Sequence, residues 1–167
     1  HPGQIKRALK LLLAAKQPVI YSGGGVINAN ASEELIKLAR ILDFPVTSTL
    51  MGLGAYPASD DKFLGMLGMH GTYEANMAMH NSDLILAVGA RFDDRSASSW
   101  LPGYSWNMPN TKLVHVDIDV AEIGRNYPVD LGIVADARTF LLQVLAEIES
   151  RGKTRTDRSQ VWMTQIQ

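Results

Sequence analysis

The chain has 167 residues, 46% of them hydrophobic, enough for one domain with a two- or three-layer core. Sixteen Lys and Arg stand against 17 Asp and Glu for a net charge of -1, so no overall field draws nucleic acid or an anionic membrane, and neither is an expected partner. There is no cysteine for a disulfide or thiolate site, and the scattered histidines His1, His70, His80 and His115 lack ligand spacing, so no protein-bound metal is expected.

Hydrophobic periodicity alternates between helix and strand signals along the chain, the pattern of an α/β domain with a parallel sheet covered by helices. From Gln4 to Lys16, the residues Ile5, Ala8, Leu11, Leu12 and Ala15 fall at helical spacing. Pro18 closes that helix before a short strand, Val19-Ile20-Tyr21, which stops at Gly23-Gly24-Gly25. Ser32 is the expected N-cap of a second helix, with Glu33 and Glu34 in its first turn and Leu35, Leu38, Ala39 and Leu42 on one apolar face. Pro45 to Leu50 gives a second strand, followed by Met51-Gly52-Leu53-Gly54. A glycine-punctuated stretch, Gly65 to Gly71, then precedes a helix from about Thr72 to His80.

Asp83 to Val88 is the third strand, Lys112 to Ile118 the fourth, and Leu131 to Val134 a candidate fifth. Asp136 sits where an N-cap belongs, ahead of a last helix whose buried stripe is Phe140, Leu141, Val144, Leu145 and Ile148. Between Ser96 and Thr111 runs a loop with Trp100, Pro102, Gly103, Tyr104, Trp106 and Pro109, long and aromatic for a structureless connection; a lid and a surface covered by another domain are both open. No run of about 18 apolar residues and no basic-then-hydrophobic start occurs, so a soluble, cytoplasmic chain is expected. It starts at His1-Pro2-Gly3 and closes on a polar tail, Glu149 to Gln167. Both ends are expected to be cuts through a longer protein.

The strand Leu86-Ala87-Val88 runs into Gly89 and then into four charges within the five residues Arg91 to Arg95. Ligands of open α/β sheets bind just outside such carboxyl ends, whereas the bland alternative is a solvated turn whose charges pair with one another. Three glycine clusters follow strands, where main-chain amides can approach a pyrophosphate without a Cβ in the way, although a tight turn explains each cluster as well. The NAD fingerprint fails, because Asn28 replaces the third glycine after Gly23 and Gly25, and the second strand ends in Thr49 and Leu50 where an acid would hold a ribose. Arg91 and Arg95 can hold phosphate or carboxylate through charge-assisted bonds worth about 1.5 to 3 kcal/mol each, against about 0.3 to 1 kcal/mol for a helix dipole. Asp93 and Asp94 either orient these arginines or are turn residues. His70 reads as a packing residue, and with no nucleophile elbow or Walker lysine the chain has binding features and no catalytic residue.

Taken in order, Ser22-Gly23-Gly24-Gly25, Ser48-Thr49-Leu50-Met51-Gly52-Leu53-Gly54, Leu67-Gly68-Met69-His70-Gly71-Thr72, Gly89-Ala90-Arg91-Phe92-Asp93-Asp94-Arg95 and His115-Val116-Asp117-Ile118-Asp119 resemble the middle third of the acetolactate synthase (acetohydroxyacid synthase) large subunit, from about residue 2 to residue 148. The resemblance implies a thiamine diphosphate-dependent transferase of branched-chain amino acid biosynthesis, which decarboxylates pyruvate and passes the two-carbon unit to a second 2-oxo acid. It implies a Rossmann-like three-layer α/β/α fold with a mainly parallel six-stranded sheet for residues 1–148, and a linker over 149–167 toward a C-terminal thiamine diphosphate-binding domain. Thiamine diphosphate and its magnesium would be held by flanking N- and C-terminal domains, whose glutamate and GDG-type motifs do not occur here, so this chain alone is expected to be inactive.

By the same resemblance this is a flavoprotein domain holding FAD structurally. The contacts implied are Gly24, Gly25, Thr49, Leu50, Met51, Leu67, Gly68, Met69, His70, Gly89, Ala90, Arg91, Asp93 and Arg95, with Glu122, Ile123, Asp136 and Ala137 toward the adenosine end. Met69, Asp94 and Arg95 would border the substrate channel. A homodimer or tetramer, and a regulatory subunit, are the implied partners. Two departures leave the exact substrate open: Ser96 stands where the family usually has an aliphatic residue, and the Trp100 to Pro109 loop is longer and more aromatic than typical. Glyoxylate carboligase and sulfoacetaldehyde acetyltransferase share the architecture. A nucleotide-free scaffold remains open, suggested by the aromatic loop and by Met66, Met69, Met77 and Met79. A sirtuin-like or transhydrogenase-like NAD domain is a third possibility.

Overall fold

A computed structural model describes residues 1–93, 106–108, 110–152 and 158–166. Asp94, Arg95, Ser96, Trp100, Pro102, Gly103, Tyr104 and Pro109 lie outside the described residues. The helices are α1 (Pro2–Ala14), α2 (Gly24–Asn28), α3 (Ser32–Leu42), α4 (Tyr73–Asn81), α5 (Ala137–Arg151) and α6 (Arg158–Ile166). The strands are β1 (Pro18–Ser22), β2 (Val46–Ser48), β3 (Phe63–Met66), β4 (Leu84–Val88), β5 (Lys112–Asp117) and β6 (Leu131–Val134). They form one sheet in the order β3-β2-β1-β4-β5-β6, every pair parallel.

The central strands PVIYS and LILAV are buried along their whole length, as parallel strands covered on both faces must be. Strand alternation then divides their side chains between two cores. Ile20, Leu86, Val88, Val114 and Val116 pack with the apolar stripes of α1, α3 and α5. Val19, Tyr21, Ile85, Ala87 and Leu113 pack on the other face with Ala75, Ala78 and Met79 of α4 and with Trp162 of α6. The result is the three-layer α/β/α fold that the resemblance implies.

The structure differs from the sequence reading in several places. The sixth strand is β3, which sits in the glycine-punctuated region. Gly65 breaks its apolar pattern and takes a φ of +99°, and the pairing with β2 slips between Val46 and Thr47, so no alternation survives in the sequence. The Gly24–Asn28 stretch is a short helix where a turn was expected. Ser32 is the first residue of α3, and its N-cap is Ala31, which has no side chain to cap with. Pro18 opens β1, where its missing N–H is tolerated.

The polar tail also holds more structure than its composition suggests. α5 runs to Arg151 and ends at Gly152, whose left-handed φ of +64° terminates the helix. In α6 the Trp162 indole is buried, and its Nε1 donates to Pro18 O at 2.9 Å. Trp106 and Met108, expected in a lid or a covered surface, instead belong to the second core. Met79 is likewise buried, Met66 half-buried, and Met69 and Met77 exposed. No described helix is long and apolar enough to cross a membrane.

Candidate functional site

Because all six strands run in one direction, their carboxyl ends form a single rim. Every described candidate residue lies on it: Gly24 and Gly25 after β1, Thr49 to Met51 after β2, Leu67 to His70 after β3, Gly89 to Arg91 and Asp93 after β4, Glu122 and Ile123 after β5, Asp136 and Ala137 after β6. The strand order reverses between β1 and β4, which is where ligands of doubly wound sheets bind. Asp94 and Arg95 fall outside the described residues.

At that switch point the glycines touch one another. Gly23 N donates to Val88 O at 3.0 Å, Gly25 N to Gly89 O at 3.0 Å, and Gly89 N to Val116 O at 2.9 Å. A Cβ on Gly23 would lie 2.1 Å from Gly89 O, and one on Gly25 2.7 Å from Gly89 Cα. These glycines therefore allow two loops to meet backbone to backbone, and the amides of Gly23 and Gly25 already have protein acceptors. The third cluster is similar, since the Asn76 side chain bonds both Gly68 N (3.1 Å) and Gly68 O (3.0 Å). Gly24 faces Met51, with 3.1 Å between a would-be Cβ and Met51 Cβ.

The side chains of the rim divide by role. Thr49 is buried, and its Oγ1 accepts from Gly52 N at 3.0 Å to cap a single 3-10 turn, Leu50–Gly52. Leu67 and Ala90 are buried, whereas His70 is exposed. Leu50, Met51 and Met69 are 65%, 73% and 69% exposed, and Ile118, Val120 and Val134 are uncovered on the other side of the switch point. So many large apolar groups facing solvent along one edge mark a surface that something covers. Arg91 is exposed between these groups and has no ion pair among the described residues. At the end of β1, Ser22 Oγ is buried without a hydrogen-bond partner among the described residues.

Beyond β5 the rim is acidic. Asp117 accepts from Asp119 N at 2.9 Å, Asp119 from Ala121 N at 2.9 Å, and Glu122 pairs with Arg125 at 3.3 Å. Ile123 covers Gly132, where a Cβ would come within 2.6 Å of its Cγ2. Asp136 caps α5 through Thr139 N at 3.1 Å, and Ala137 is buried behind it.

His115 is buried on β5. Its Nε2 donates to Ala90 O at 2.8 Å, and Asp117 Oδ2 lies 3.9 Å away. Burial pushes this imidazole below its ordinary pKa, against the opposing pull of the Ala90 bond, Asp117 and Glu122. A carbonyl only accepts, so the proton of the neutral ring sits on Nε2. Phe92 packs edge-on against His115 (5.0 Å, 84°) and against Trp106 and Tyr127 (4.8 and 5.6 Å). Desolvation in this cluster pushes the Tyr127 hydroxyl up to about 12. Asn126, which sequence reasoning passed over, donates from Nδ2 to Phe92 O at 2.6 Å. A lone asparagine in a loop gives no sequence signal of such a long-range bond.

Two hollows, of about 510 and 480 Å³, lie away from the rim. They border α6, the first against Asp60, Asp61 and Phe63, the second against Tyr73, Met77 and Trp162. The rim is an open edge, and its chemistry, more than its depth, makes it the candidate site. Among the described residues no three His, Cys, Asp or Glu side chains group as metal ligands would.

Residues 5–144 match the family model described as "Thiamine pyrophosphate enzyme, central domain". The chain belongs to that family. This central domain is 53% identical over 163 residues to the acetolactate synthase large subunit of Haemophilus influenzae, covering 97% of the chain and 28% of the relative. It is 48% identical over 168 residues to the acetolactate synthase isozyme 3 large subunit of Escherichia coli, covering 100% of the chain and 29% of the relative. A probable acetolactate synthase large subunit of Methanocaldococcus jannaschii is 46% identical over 148 residues, 89% of the chain and 24% of the relative. The central domain thus spans between a quarter and a third of the first two relatives, and the resemblance carried by the five motifs is confirmed across nearly its whole length.

Proposed function

We propose that this central domain is part of an acetolactate synthase-like enzyme that decarboxylates pyruvate and transfers the two-carbon unit to a second 2-oxo acid, and that its rim holds FAD structurally. The observation that carries the reading is the 53% identity to an acetolactate synthase large subunit over 97% of the chain. Thiamine diphosphate, when bound with magnesium by other domains of the same chain, supplies the carbon chemistry. The residues here supply binding and shape. An exposed guanidinium at the switch point, an orphaned hydroxyl at Ser22 and uncovered apolar groups are the kinds of group that a flavin dinucleotide requires.

In this reading Arg91 holds the diphosphate, Leu50, Met51 and Met69 cover the apolar ring, and Glu122, Ile123, Asp136 and Ala137 line the adenosine end. Gly24, Gly25, Thr49, Leu67, Gly68, His70, Gly89, Ala90 and Asp93 complete the contacts, with Arg95, while Met69, Asp94 and Arg95 border the substrate channel. Residues 1–148 form the flavin-binding unit and 149–167 lead toward a C-terminal domain. Without its flanking domains the chain is inactive. The whole enzyme is a cytoplasmic homodimer or tetramer that takes a regulatory subunit.

Titrating FAD into the purified chain and following flavin fluorescence tests this. Wild type should saturate, and Arg91→Ala should bind at least about tenfold more weakly, as expected for a lost charge-assisted contact to phosphate. The same weak, nonsaturable signal from both proteins would remove the flavin from this rim. A second reading draws on the interlocked Gly25 and Gly89 loops, whose engaged amides suit a nucleotide-free scaffold that orients two catalytic domains. That titration separates the two.

A further inference from the structure

We infer that Asn126 and His115 are positioning residues that hold the β4 exit so that Arg91 is presented to the ligand; the ligand's identity rests on the flavin reading above. The main chain from Gly89 to Phe92 has no regular structure, yet it is pinned at four points. Val116 O takes Gly89 N at 2.9 Å, Gly25 N holds Gly89 O at 3.0 Å, His115 Nε2 holds Ala90 O at 2.8 Å, and Asn126 Nδ2 holds Phe92 O at 2.6 Å. The last two bonds are side-chain donors aimed at the carbonyls on either side of Arg91, reaching across 25 and 34 residues of sequence.

Side-chain direction agrees with this. Ala90 and Phe92 are 1% and 5% exposed and belong to the second core, while Arg91 between them faces solvent. Both carbonyls belong to buried residues and need protein donors, and because those donors come from distant side chains, satisfying them also fixes the main chain on either side of Arg91. A guanidinium on a fixed backbone loses less freedom when it meets a diphosphate, which is how preorganisation raises affinity.

The test uses this chain, with Asn126→Ala, Arg91→Ala and the double variant. In ligand-free protein Asn126→Ala should speed amide hydrogen exchange of Gly89, whose N–H is held by Val116 O at 2.9 Å in the same pinned turn, by up to about tenfold, the loss of one hydrogen bond, while Val19 to Tyr21 of β1 keep their protection. In the flavin titration Asn126→Ala should weaken FAD about three- to tenfold with Arg91 present and less than about twofold with Arg91→Ala, since a positioning residue acts through the side chain it positions. Unchanged exchange, or equal losses of FAD affinity in both backgrounds, overturns the assignment. If wild type fails to bind FAD saturably, the flavin reading falls and the exchange measurement alone decides the clamp.

Discussion

A methyl group added at Gly25 would sit 2.7 Å from Gly89 Cα, and one added at Gly89 would sit 2.6 Å from Gly25 Cα with the backbone already at a φ of +60°. Both obstacles are main chain, which cannot rotate aside as a flexible side chain would. Overpacking of this kind costs about 1 to 3 kcal/mol, and a left-handed backbone adds about 1 kcal/mol more at position 89. Gly54 is the control, because its φ of +95° is left-handed but nothing lies within 4 Å of a would-be Cβ. In urea denaturation Gly89→Ala should lower the midpoint most and Gly54→Ala least, with Gly25→Ala falling between the two or near Gly89→Ala. Equal losses at positions 25 and 54 would show that the two loops are not locked together as described.

The elements differ in how plainly their residues announce them. α5 is legible, since an Asp136 cap and the spacing of Phe140, Leu141, Val144, Leu145 and Ile148 state both its start and its buried face. β1, β4 and β5 are legible as apolar runs. β3 is not, because Phe63-Leu64-Gly65-Met66 is short and has glycine inside. The same applies to the rim: the motifs locate Arg91, but whether Gly25 faces a phosphate or another loop depends on how β1 and β4 pair, and no local pattern encodes that. Trp162 is another such case, a single aromatic in a polar segment that closes the second core over Pro18. Trp162→Ala should lower the stability of the chain by about 3 kcal/mol or more, through a lost buried ring and an unpaired Pro18 carbonyl. Trp162→Phe keeps most of the packing and should lose about 1 kcal/mol. An unchanged urea midpoint in Trp162→Ala would mean that α6 adds nothing to the fold.

Across the whole molecule positive and negative charge nearly cancel, 16 Lys and Arg against 17 Asp and Glu, so self-repulsion does not set how stability responds to pH near neutrality. A single buried group, His115, then has a visible share. Burial holds its pKa below the ordinary 6.5 in the folded chain, whereas the unfolded chain takes up a proton near that value. Between the two values the unfolded state binds more protons, so the contribution of His115 to stability is complete above pH 6.5 and is lost progressively as the pH falls below it. Thermal unfolding followed from about pH 7.5 down to about pH 5.5 should therefore show a falling Tm, and His115→Gln should flatten that fall. Glutamine retains an amide donor for Ala90 O, so the variant removes the titration while leaving a partner for the carbonyl. If His115→Gln shows the same slope as wild type, the imidazole is not the group that unfolding releases to the proton. If the slope has the opposite sign, Asp117 and Glu122 hold the ring charged, and the Ala90 carbonyl beside Arg91 is then gripped by an imidazolium.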